Sequence, residues 1–469
     1  MKDLDPIYCG EPSVQTSTAT TDLIARLRST VDGAVITPDD SGYDDVRAVV
    51  MGNFDGRPAA VARPADDADV ARIVSLAADS DVPLAVRNGG HSSAGHSTND
   101  GGLVLDVRDL NEVRIDPDGR TAWAQAGATA GAYLAAAGEH GLATGFGDSA
   151  TVGLGGITLA GGVGYLSRKY GMTIDELLAA EIVTADGQRL RVDEDNHPDL
   201  FWAIRGGGGN FGVATRFKYR LRDVSQFTGG MLILPGTPEV ITRFVAEADA
   251  APEELSAIMM AMVAPPMPFL PPEVHGQLVV MALMAYVGPP DEAERAMAPF
   301  RAIATPLADM VAPKSYLEMF PPEQAGFHPI AAGRVFFADT IDESFSAAVI
   351  ESLHASTAMM SAVQFRVLGG AIARVPADAT AFAHRNRKAM INVAAMAHDL
   401  DGLAEQQAWV TKLSDRIQQG PGAYPGFLGV DGAERIGEVY PASTYQRLVA
   451  IKRQYDPANL FRSNHNIVP

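Results

Sequence analysis

A short glycine-rich segment contains the residues with the clearest potential for chemistry in this sequence. It reads Arg-Asn-Gly-Gly-His-Ser-Ser-Ala-Gly-His-Ser over residues 87–97. Small residues flanked by hydroxyl groups and a cation let backbone N–H groups approach a bound anion such as a pyrophosphate. The residues that we expect to bind such a ligand are Arg87, Asn88, Gly89, Gly90, His91, Ser92, Gly95 and His96.

The two histidines of this segment could instead bind a metal ion. His91 and His96 are five residues apart, a poor spacing for two ligands on one helix, and no carboxylate or thiolate accompanies them. We therefore expect no metal site. Cys9 is the only cysteine, which excludes an intramolecular disulfide and a cysteine-rich metal site, and we expect it to be inert.

A second, longer glycine-rich stretch covers residues 145–165. So many glycines indicate a backbone packed closely against something flat or charged. A flexible linker is the alternative, but apolar residues alternate with the glycines, which does not suit a linker. The residues that we expect to contact a ligand here are Asp148, Ser149, Val152, Gly153, Gly155, Gly156, Gly162 and Tyr165.

A third cluster contains the pattern Gly-x-Gly-x-x-Gly from Gly207 to Gly212. In nicotinamide-binding sites this pattern follows a strand and begins a helix. Here the order is reversed, because a helical pattern over 199–204 precedes it and an alternating strand pattern over 213–221 follows it. We therefore predict that this cluster is not a nicotinamide site, and we disfavour a nicotinamide-dependent dehydrogenase.

Strands and helices must hold these segments in place. The first 225 residues show alternating short elements of both kinds. Hydrophobic spacing predicts a helix over 66–79 and a strand over 84–87 that runs directly into the first glycine-rich segment. A final helix is predicted over 443–454, before Pro457.

Length and composition indicate more than one domain. A chain of 469 residues is too long for one ordinary hydrophobic core. Methionine is concentrated after residue 230, where glycine clusters become rare. We predict one domain over 1–225, a second over 226–430, and a C-terminal return to the first over 431–469.

The charge balance limits the classes of partner. Lys and Arg number 37 against 57 Asp and Glu, which gives a net charge of −20. A basic surface is needed to bind nucleic acid or an anionic membrane, so neither partner is expected. No apolar run reaches the roughly 18 to 20 residues of a membrane helix. The acidic N-terminus is unlike a signal peptide, so we expect a cytoplasmic monomer or homodimer.

The glycine-rich motifs, together with a C-terminal one, resemble the PCMH-type FAD-binding (vanillyl-alcohol-oxidase) family, most specifically its berberine-bridge-enzyme-like branch. Besides the first two segments, the motifs are DLFWAIRGGGGNFG at 199–212 and YDPANLFRSNHNI at 455–467. The resemblance covers about residues 40–225 and 420–469. It implies an α+β fold of two domains, in which a PCMH-type FAD-binding domain is joined to a substrate domain of antiparallel sheet covered by helices.

The resemblance also implies how the cofactor is held. In the family, the histidine of the first loop, His91 here, is joined to the 8α-methyl group of FAD, which prevents dissociation and raises the flavin potential. A hydrogen bond from His91 to the phosphates alone is the alternative. Many relatives add a second link from a cysteine, but Ser149 stands at that position, so we expect single attachment. Asn464 and Asn466 are expected to bind the flavin or its ribityl chain, or else to cap the last segment.

Two further positions bear on the reaction through the resemblance. Val152 stands where the family controls access of oxygen, and valine there implies fast reoxidation by O2 with release of H2O2. A dehydrogenase with another electron acceptor is the alternative. Tyr424 matches the base of the family, although Gly426 replaces the usual asparagine, and its pKa of about 10 would have to be lowered. A packing role for Tyr424, with Tyr440 or His384 as the base, is the alternative.

The donor is expected to be a small organic alcohol or amine whose hydride passes to the flavin. Sugar-oxidising relatives stack sugars on aromatic platforms, yet the predicted second domain contains a single tryptophan, Trp409. Its many methionines suit an irregular apolar ligand, or they fill the core. An oligosaccharide oxidase and a flavin-binding protein without turnover are the alternatives. The methionines in question are Met259, Met260, Met262, Met281 and Met284.

Overall fold

The computed structural model describes residues 18–80, 82–320 and 326–469, and Cys9 lies outside them. The α-helices are α1 (Thr18–Thr30), α2 (Tyr43–Arg47), α3 (Asp67–Ala78), α4 (Ala130–Gly138), α5 (Leu154–Ala160), α6 (Ser167–Tyr170), α7 (Pro198–Ile204), α8 (Pro238–Ala250), α9 (Pro290–Arg301), α10 (Glu343–His354), α11 (Ala371–Arg374), α12 (Leu403–Ile417), α13 (Ile436–Val439) and α14 (Ala442–Tyr455).

The strands form two small sheets, a short pair and one large sheet. They are β1 (Ala34–Ile36), β2 (Ala60–Arg63), β3 (Leu84–Arg87), β4 (Leu103–Asp106), β5 (Val113–Asp116), β6 (Thr121–Gln125), β7 (Leu142–Ala143), β8 (Leu177–Val183), β9 (Arg189–Val192), β10 (Val213–Arg220), β11 (Arg222–Asp223), β12 (Phe227–Pro235), β13 (Leu255–Val263), β14 (Leu278–Val287), β15 (Ala308–Asp309), β16 (Ala312–Pro313), β17 (Ile330–Ala338), β18 (Met360–Val367) and β19 (Ala389–Ala397).

The first sheet has the order β1-β2-β4-β3, with β2 and β3 both parallel to β4. Helix α3 covers it because Val70, Ile73 and Val74 recur at helical spacing and are fully buried. Asp66 begins the helix by accepting a hydrogen bond from the Asp69 amide at 2.9 Å. The predicted helix and the predicted strand are confirmed, and the loop after β3 is the first glycine-rich segment.

The second sheet is antiparallel, with the order β5-β6-β10-β8-β9. Its central strand, β10, matches the alternating pattern over 213–221, because Phe217 and Tyr219 point into the core. Strands β8 and β9 form the hairpin around the turn at Gly187, whose φ of +77° suits glycine. Helix α7 precedes the third glycine cluster and β10 follows it, as the sequence predicted.

The large sheet is antiparallel throughout, in the order β15-β12-β14-β13-β18-β19-β17 with β16 beside β12. Helices α8, α10 and α12 pack on one face, where Phe244, Leu353 and Leu413 join a buried cluster with alternate strand residues. The predicted antiparallel sheet covered by helices is confirmed, and so is the α+β class.

The methionine-rich strands give a correction. Met259 and Met284 belong to the buried cluster beneath the helices, while Met262 and Met281 belong to a second buried cluster of the sheet. Methionine fills irregular gaps between strands and helices well because its side chain is unbranched and flexible. These side chains therefore form the core, and the expected apolar ligand surface of methionines is not present at these positions.

The C-terminal residues return to the first part of the chain. Lys452 in α14 is fully buried and paired with Asp456, and its Nζ also donates to the carbonyl oxygens of Asn210 at 2.8 Å and Phe461 at 2.9 Å. This buried ammonium fastens the tail to the third glycine cluster. Among the described residues, no helix is both long and apolar enough to cross a bilayer.

Candidate functional site

A cavity of about 500 Å³ lies where the three glycine-rich segments, the C-terminal tail and one face of the large sheet meet. Segments far apart in the sequence thus form one site. The residues that the sequence singled out and that line the cavity are Asn88, Gly89, Gly90, His91, Ser92, His96, Asp148, Ser149, Val152, Gly153, Gly155, Gly156, Tyr424 and Asn464.

The loop after β3 depends on glycine at two positions. Gly90 has a φ of +75°, a left-handed conformation that side chains disfavour. A Cβ atom on Gly89 would lie 2.5 Å from the amide nitrogen of Gly153. The first and second glycine-rich segments therefore touch backbone to backbone, and both glycines line the cavity, where an anion could reach main-chain amides.

His91 faces the second glycine-rich segment. Its Nε2 and the Thr151 Oγ1 share a hydrogen bond of 2.9 Å. Ser149 Oγ lies 3.4 Å from the same Thr151 oxygen. The histidine expected to hold the flavin and the serine at the position of the second link thus lie on one wall of the cavity.

Five of the singled-out residues do not line the cavity, namely Arg87, Gly95, Gly162, Tyr165 and Asn466. Arg87 is fully buried, and its Nη2 donates to Asp106 Oδ2 at 2.8 Å. A direct contact between this guanidinium and a phosphate, as the sequence suggested, does not fit this arrangement. Arg87 instead anchors the start of the loop, and Gly95 packs against the ring of Phe54.

The other three lie behind the cavity wall. The Tyr165 ring makes an edge-to-face contact with Phe320, with centroids 5.5 Å apart. The Gly162 amide donates to the phenol oxygen of Tyr424. Asn466 Oδ1 is buried and accepts no hydrogen bond from the described residues. Tyr165 and Gly162 thus support the wall, and Asn466 places a buried acceptor without a described partner in the C-terminal tail.

Two histidine rings meet edge-to-face inside the cavity. The rings of His96 and His465 are 4.6 Å apart in a T-shaped arrangement, and both line the cavity. Burial lowers the pKa of His96 to about 3, and it lowers the pKa of His465 to about 4. Both imidazoles are therefore neutral at ordinary pH. The sequence identified His96 and missed His465, although its two asparagine neighbours were identified.

The third glycine cluster lines the same cavity with Gly207, Gly208, Gly209, Asn210 and Gly212. Asn210 Oδ1 accepts a hydrogen bond from the Ile467 amide at 2.9 Å and so fastens the tail. The sequence analysis set aside the nicotinamide pattern and gave these glycines no other role. A glycine cluster between a helix and a strand could have indicated that these residues form part of the cavity wall.

The large sheet supplies polar residues that sequence reasoning missed. On β18 and β19, the residues beneath the helices alternate with residues of the opposite face. Arg366 and Asn392 occupy that opposite face and line the cavity. Arg366 Nη2 donates to Asp148 Oδ2 at 2.7 Å, which joins the sheet to the second glycine-rich segment. Phe427 and Tyr440 complete this side.

Tyr424 is buried with its phenol oxygen at the cavity wall. The oxygen accepts a hydrogen bond from the Gly162 amide at 2.8 Å. Burial raises the pKa of Tyr424 to about 12, although the amides of Gly162 and Val163 and the charge of Arg366 act in the opposite direction. The lowered pKa that a base near neutral pH would favour is thus absent, because desolvation of the phenolate dominates.

The two alternative bases differ in position. Tyr440 lines the cavity, but its hydroxyl donates to the Gly206 carbonyl at 3.0 Å. His384 does not line it, and its Nε2 donates to the carbonyl oxygens of Glu438 at 2.8 Å and Val439 at 3.0 Å. Burial lowers the pKa of His384. His384 therefore connects backbone segments.

The residues present fit the FAD that the sequence resemblance implies. Asn464 Oδ1 and Asn466 Oδ1 are both buried and accept no hydrogen bond from the described residues. Buried acceptors without partners are rare in folded proteins, and a bound ligand with hydroxyl or ring N–H donors would satisfy that of Asn464, which lines the cavity. The glycines of three segments leave room for a long, flat ligand along the wall.

The chain is similar in sequence to known FAD-linked proteins. Residues 58–193 match the family described as FAD binding domain, and residues 424–468 match the family described as berberine and berberine like. The (R)-6-hydroxynicotine oxidase of Paenarthrobacter nicotinovorans is 32% identical over 461 residues, which cover 94% of this chain and 97% of that protein. An FAD-linked oxidoreductase of Bacillus subtilis (strain 168) is 27% identical over 460 residues, covering 94% and 98%.

Solved structures show the same fold. The crystal structure of 6-hydroxy-D-nicotine oxidase from Arthrobacter nicotinovorans has a TM-score of 0.83 and 27% identity, and it covers 94% of this chain and 98% of that chain. A xylooligosaccharide oxidase from Myceliophthora thermophila C1 has a TM-score of 0.83 at 23% identity, covering 95% and 99%. At that identity the second likeness concerns the fold alone.

Proposed function

This chain belongs to the berberine-bridge-enzyme-like family of FAD-linked oxidoreductases, and we propose that it is an oxidase with covalently bound FAD. The single attachment is through His91. The enzyme takes a hydride from a small organic alcohol or amine and passes the electrons to O2, which leaves as H2O2. Tyr424 is the base.

The observation that supports this proposal most is the meeting of His91 and Tyr424 at one cavity. The first lies in the loop after β3, and the second follows the large sheet in the chain. A cofactor held at His91 and a base at Tyr424 would thus share one cavity, into which a small donor could bind. Positioning of this kind removes much of the entropic barrier of a reaction between two partners.

The wall residues would share the work of holding FAD. Main-chain amides at Gly89 and Gly153 suit the pyrophosphate. Asn464, which lines the cavity, offers an acceptor to the flavin or its ribityl hydroxyls, and Asn466 would reach the cofactor only through a rearrangement of the wall in front of it. When bound, FAD supplies the acceptor for two electrons and a proton of the donor. Ser149 cannot form the second link that a cysteine would form, so His91 is the only attachment point.

The phenolate form of Tyr424, a minor species near neutral pH because its pKa is about 12, takes the hydroxyl or amine proton of the donor as the C–H hydride departs. The donor then becomes a carbonyl compound or an imine, and the proton resides on the phenol oxygen. The Gly162 amide, 2.8 Å from that oxygen, stabilises it whenever it carries negative charge. This contact makes Tyr424 better suited than Tyr440, whose hydroxyl already donates to a carbonyl.

Val152 supports oxygen as the acceptor. It belongs to the second glycine-rich segment, lines the cavity and is only partly buried. Its short side chain leaves more room beside the cofactor than a longer branched one would. A dehydrogenase with another acceptor would reoxidise slowly in air.

The cavity favours a compact, partly aromatic donor. Phe427 and Tyr440 provide rings, Asn392 provides an amide, and no tryptophan of the described residues lines the cavity. A relative at 32% identity is named an oxidase of 6-hydroxynicotine, which supports a small heterocyclic donor. The oligosaccharide oxidases share the fold at only 21% and 23% identity, so they do not support an oligosaccharide donor for this chain.

A screen for peroxide release tests the proposal. Alcohols, cyclic amines and sugars are offered in air, and the active ones are then titrated anaerobically while the flavin absorbance is followed. We expect a small alcohol or cyclic amine to bleach the flavin and release one H2O2 per turnover. Bleaching without peroxide would indicate a dehydrogenase, and activity on oligosaccharides alone would contradict the donor class.

A further inference from the structure

We propose that Arg366 is a positioning residue for Tyr424, and that Asp148 controls how strongly it acts. Arg366 holds the turn that donates to the phenol oxygen, and its positive charge favours the phenolate. Asp148 offsets part of that charge. This inference rests on the proposed role of Tyr424 as the base.

Arg366 is well placed to act as a rigid support. It is 3% exposed, and each nitrogen group of its guanidinium has a partner. Nε donates to Gln364 Oε1 at 2.9 Å, and Nη1 donates to the Val163 carbonyl at 2.8 Å. Nη2 donates to Asp148 Oδ2 at 2.7 Å. A planar fork with these contacts has one orientation.

The turn at Gly162 connects Arg366 to Tyr424. Arg366 grips the carbonyl of Val163, while the amide of Gly162, one residue earlier, donates to Tyr424 Oη at 2.8 Å. Gly162 has a φ of +76°, and Thr173 occupies the space that a Cβ there would need. The turn thus has a fixed shape, so a shift of Arg366 would move the donor of the phenol oxygen.

A second route runs through an aromatic ring. The Arg366 guanidinium lies 4.9 Å from the centroid of the Phe427 ring. That ring meets the Tyr424 ring edge-on, with centroids 5.5 Å apart. A cation over an aromatic face is attracted to it, especially when both are desolvated. Arg366 therefore supports the Tyr424 ring from the side as well as its oxygen through the turn.

The charges around Tyr424 act in opposite directions. Burial raises its pKa most, the Arg366 charge lowers it, and the Asp148 charge raises it. Of the other titratable groups near this segment, His465 has a pKa of about 4 and burial raises the pKa of Tyr440. Asp175 and Arg385 pair with each other at 2.7 Å, and Arg385 lies against the Phe382 ring, which in turn meets the Tyr424 ring edge-on. Arg366 and Asp148 are a charged pair that lines the cavity and acts on the pKa of Tyr424.

The test uses variants of the holoenzyme that remove or keep one charge. Asp148→Asn keeps an acceptor for Arg366 but removes the negative charge, whereas Arg366→Gln removes the positive charge and Arg366→Lys keeps it. With tyrosine labelled by ¹³C at the ring carbon bearing oxygen, Tyr424→Phe identifies the Tyr424 signal among the 12 tyrosines. Flavin reduction is measured anaerobically against pH for the same variants.

Opposite effects of the two charges are expected. Asp148→Asn should lower the pH at which Tyr424 titrates and raise flavin reduction at a given pH about three- to tenfold, since each pKa unit is tenfold in ionised fraction. Arg366→Gln should raise the pH at which Tyr424 titrates. It should also slow flavin reduction by at least about three- to tenfold. Arg366→Lys should recover part of the loss.

Two other outcomes separate the inference from the proposed function. If both charge-removing variants shift the Tyr424 titration in the same direction, or leave it unchanged, Arg366 and Asp148 only join the sheet to the loop and the inference is wrong. If Tyr424→Phe retains full flavin reduction, the role of Tyr424 as base is wrong, while the titration still reports on the coupling.

Discussion

The phenol oxygen of Tyr424 accepts a hydrogen bond from the amide of Gly162 at 2.8 Å, although the two residues lie 262 positions apart in the chain. This contact brings the segment after the large sheet onto the turn that follows α5. It also makes Tyr424, rather than another ring of the cavity, the group whose negative charge would be met by a backbone donor. The first prediction depends on this difference.

Removal of the Tyr424 hydroxyl should slow the chemical step. We expect Tyr424→Phe to reduce the anaerobic rate of flavin reduction by about 10²- to 10⁴-fold, the usual contribution of a general base, with little effect on the apparent affinity for the donor. Stopped-flow measurement of the flavin absorbance gives both quantities.

Tyr440→Phe is the matched control, because Tyr440 lines the same cavity but donates to a backbone carbonyl. It should change reduction less than tenfold. A greater loss in Tyr440→Phe than in Tyr424→Phe would transfer the role of base to Tyr440.

Glycine at position 153 should be required for flavin binding. A Cβ there would collide with the Gly89 backbone and with Asn88, so Gly153→Ala must separate the two loops. We expect a loss of at least half of the flavin per protein, measured by absorbance after purification. Gly138→Ala, with no heavy atom within 4 Å of its Cβ, is the control and should retain full flavin content.

Gly156→Ala distinguishes protein crowding from cofactor crowding. No protein atom lies within 4 Å of a Cβ at Gly156, yet Gly156 lines the cavity. A loss of flavin with unchanged thermal stability would indicate that the cofactor itself lies against this glycine. Full flavin content in Gly153→Ala would contradict the close packing of the two loops as the basis of the site.

The stacked histidines should make the protein sensitive to acid. His96 and His465 have pKa values of about 3 and about 4 when folded, against 6.5 in the reference state. Above pH 6.5 both are neutral in the folded and unfolded states and cost nothing. As the pH falls below 6.5, the unfolded chain takes up protons first, so stability falls until about pH 4 for His465 and about pH 3 for His96.

His465→Gln removes one of these groups and should flatten the fall by a few kcal/mol at most. The free energy of unfolding in urea is compared at neutral and acid pH. The comparison is between the single variant His91→Ala and the double variant that also carries His465→Gln. Both are freed of flavin, because a bound flavin would change the surroundings of the two histidines. Equal losses of stability in the two proteins would show that the buried pair does not titrate as described.

Side-chain length at position 152 should control the reaction with oxygen. Val152→Ile adds one methylene at the cavity wall and should slow reoxidation of the reduced flavin about tenfold or more, while the rate of reduction by the donor changes little. Mixing reduced enzyme with aerated buffer gives the rate. Slow reoxidation of the unaltered enzyme would contradict the proposed role of Val152 in admitting O2. It would favour a dehydrogenase with another electron acceptor.

Local patterns predicted much of the framework. The strand Leu84–Arg87 and the helix Asp67–Ala78 follow from hydrophobic spacing with clear boundary residues, and both were found within one residue of the prediction. The close packing of backbone at the glycine-rich segments was also predicted, because such packing requires many glycines. These features depend on neighbours in the sequence.

The rest depends on contacts between distant segments. Arg366 and Asn392 alternate with buried apolar residues, and such alternation does not tell which face of a sheet meets a cofactor. The burial that raises the pKa of Tyr424 likewise arises from packing of remote segments. Arg87 shows the same dependence: a cation beside a glycine-rich loop is predicted to bind phosphate, while its burial and its pairing with Asp106 come from packing against another strand.

The most direct test of the whole account is whether flavin stays on the polypeptide. The unaltered enzyme and the variants His91→Ala and His96→Asn are precipitated with acid, and the flavin is measured in pellet and supernatant. Retention in the pellet of the unaltered enzyme and of His96→Asn, with release from His91→Ala, is the result that we predict. Covalent flavin in His91→Ala, or release from the unaltered enzyme, would contradict the central claim.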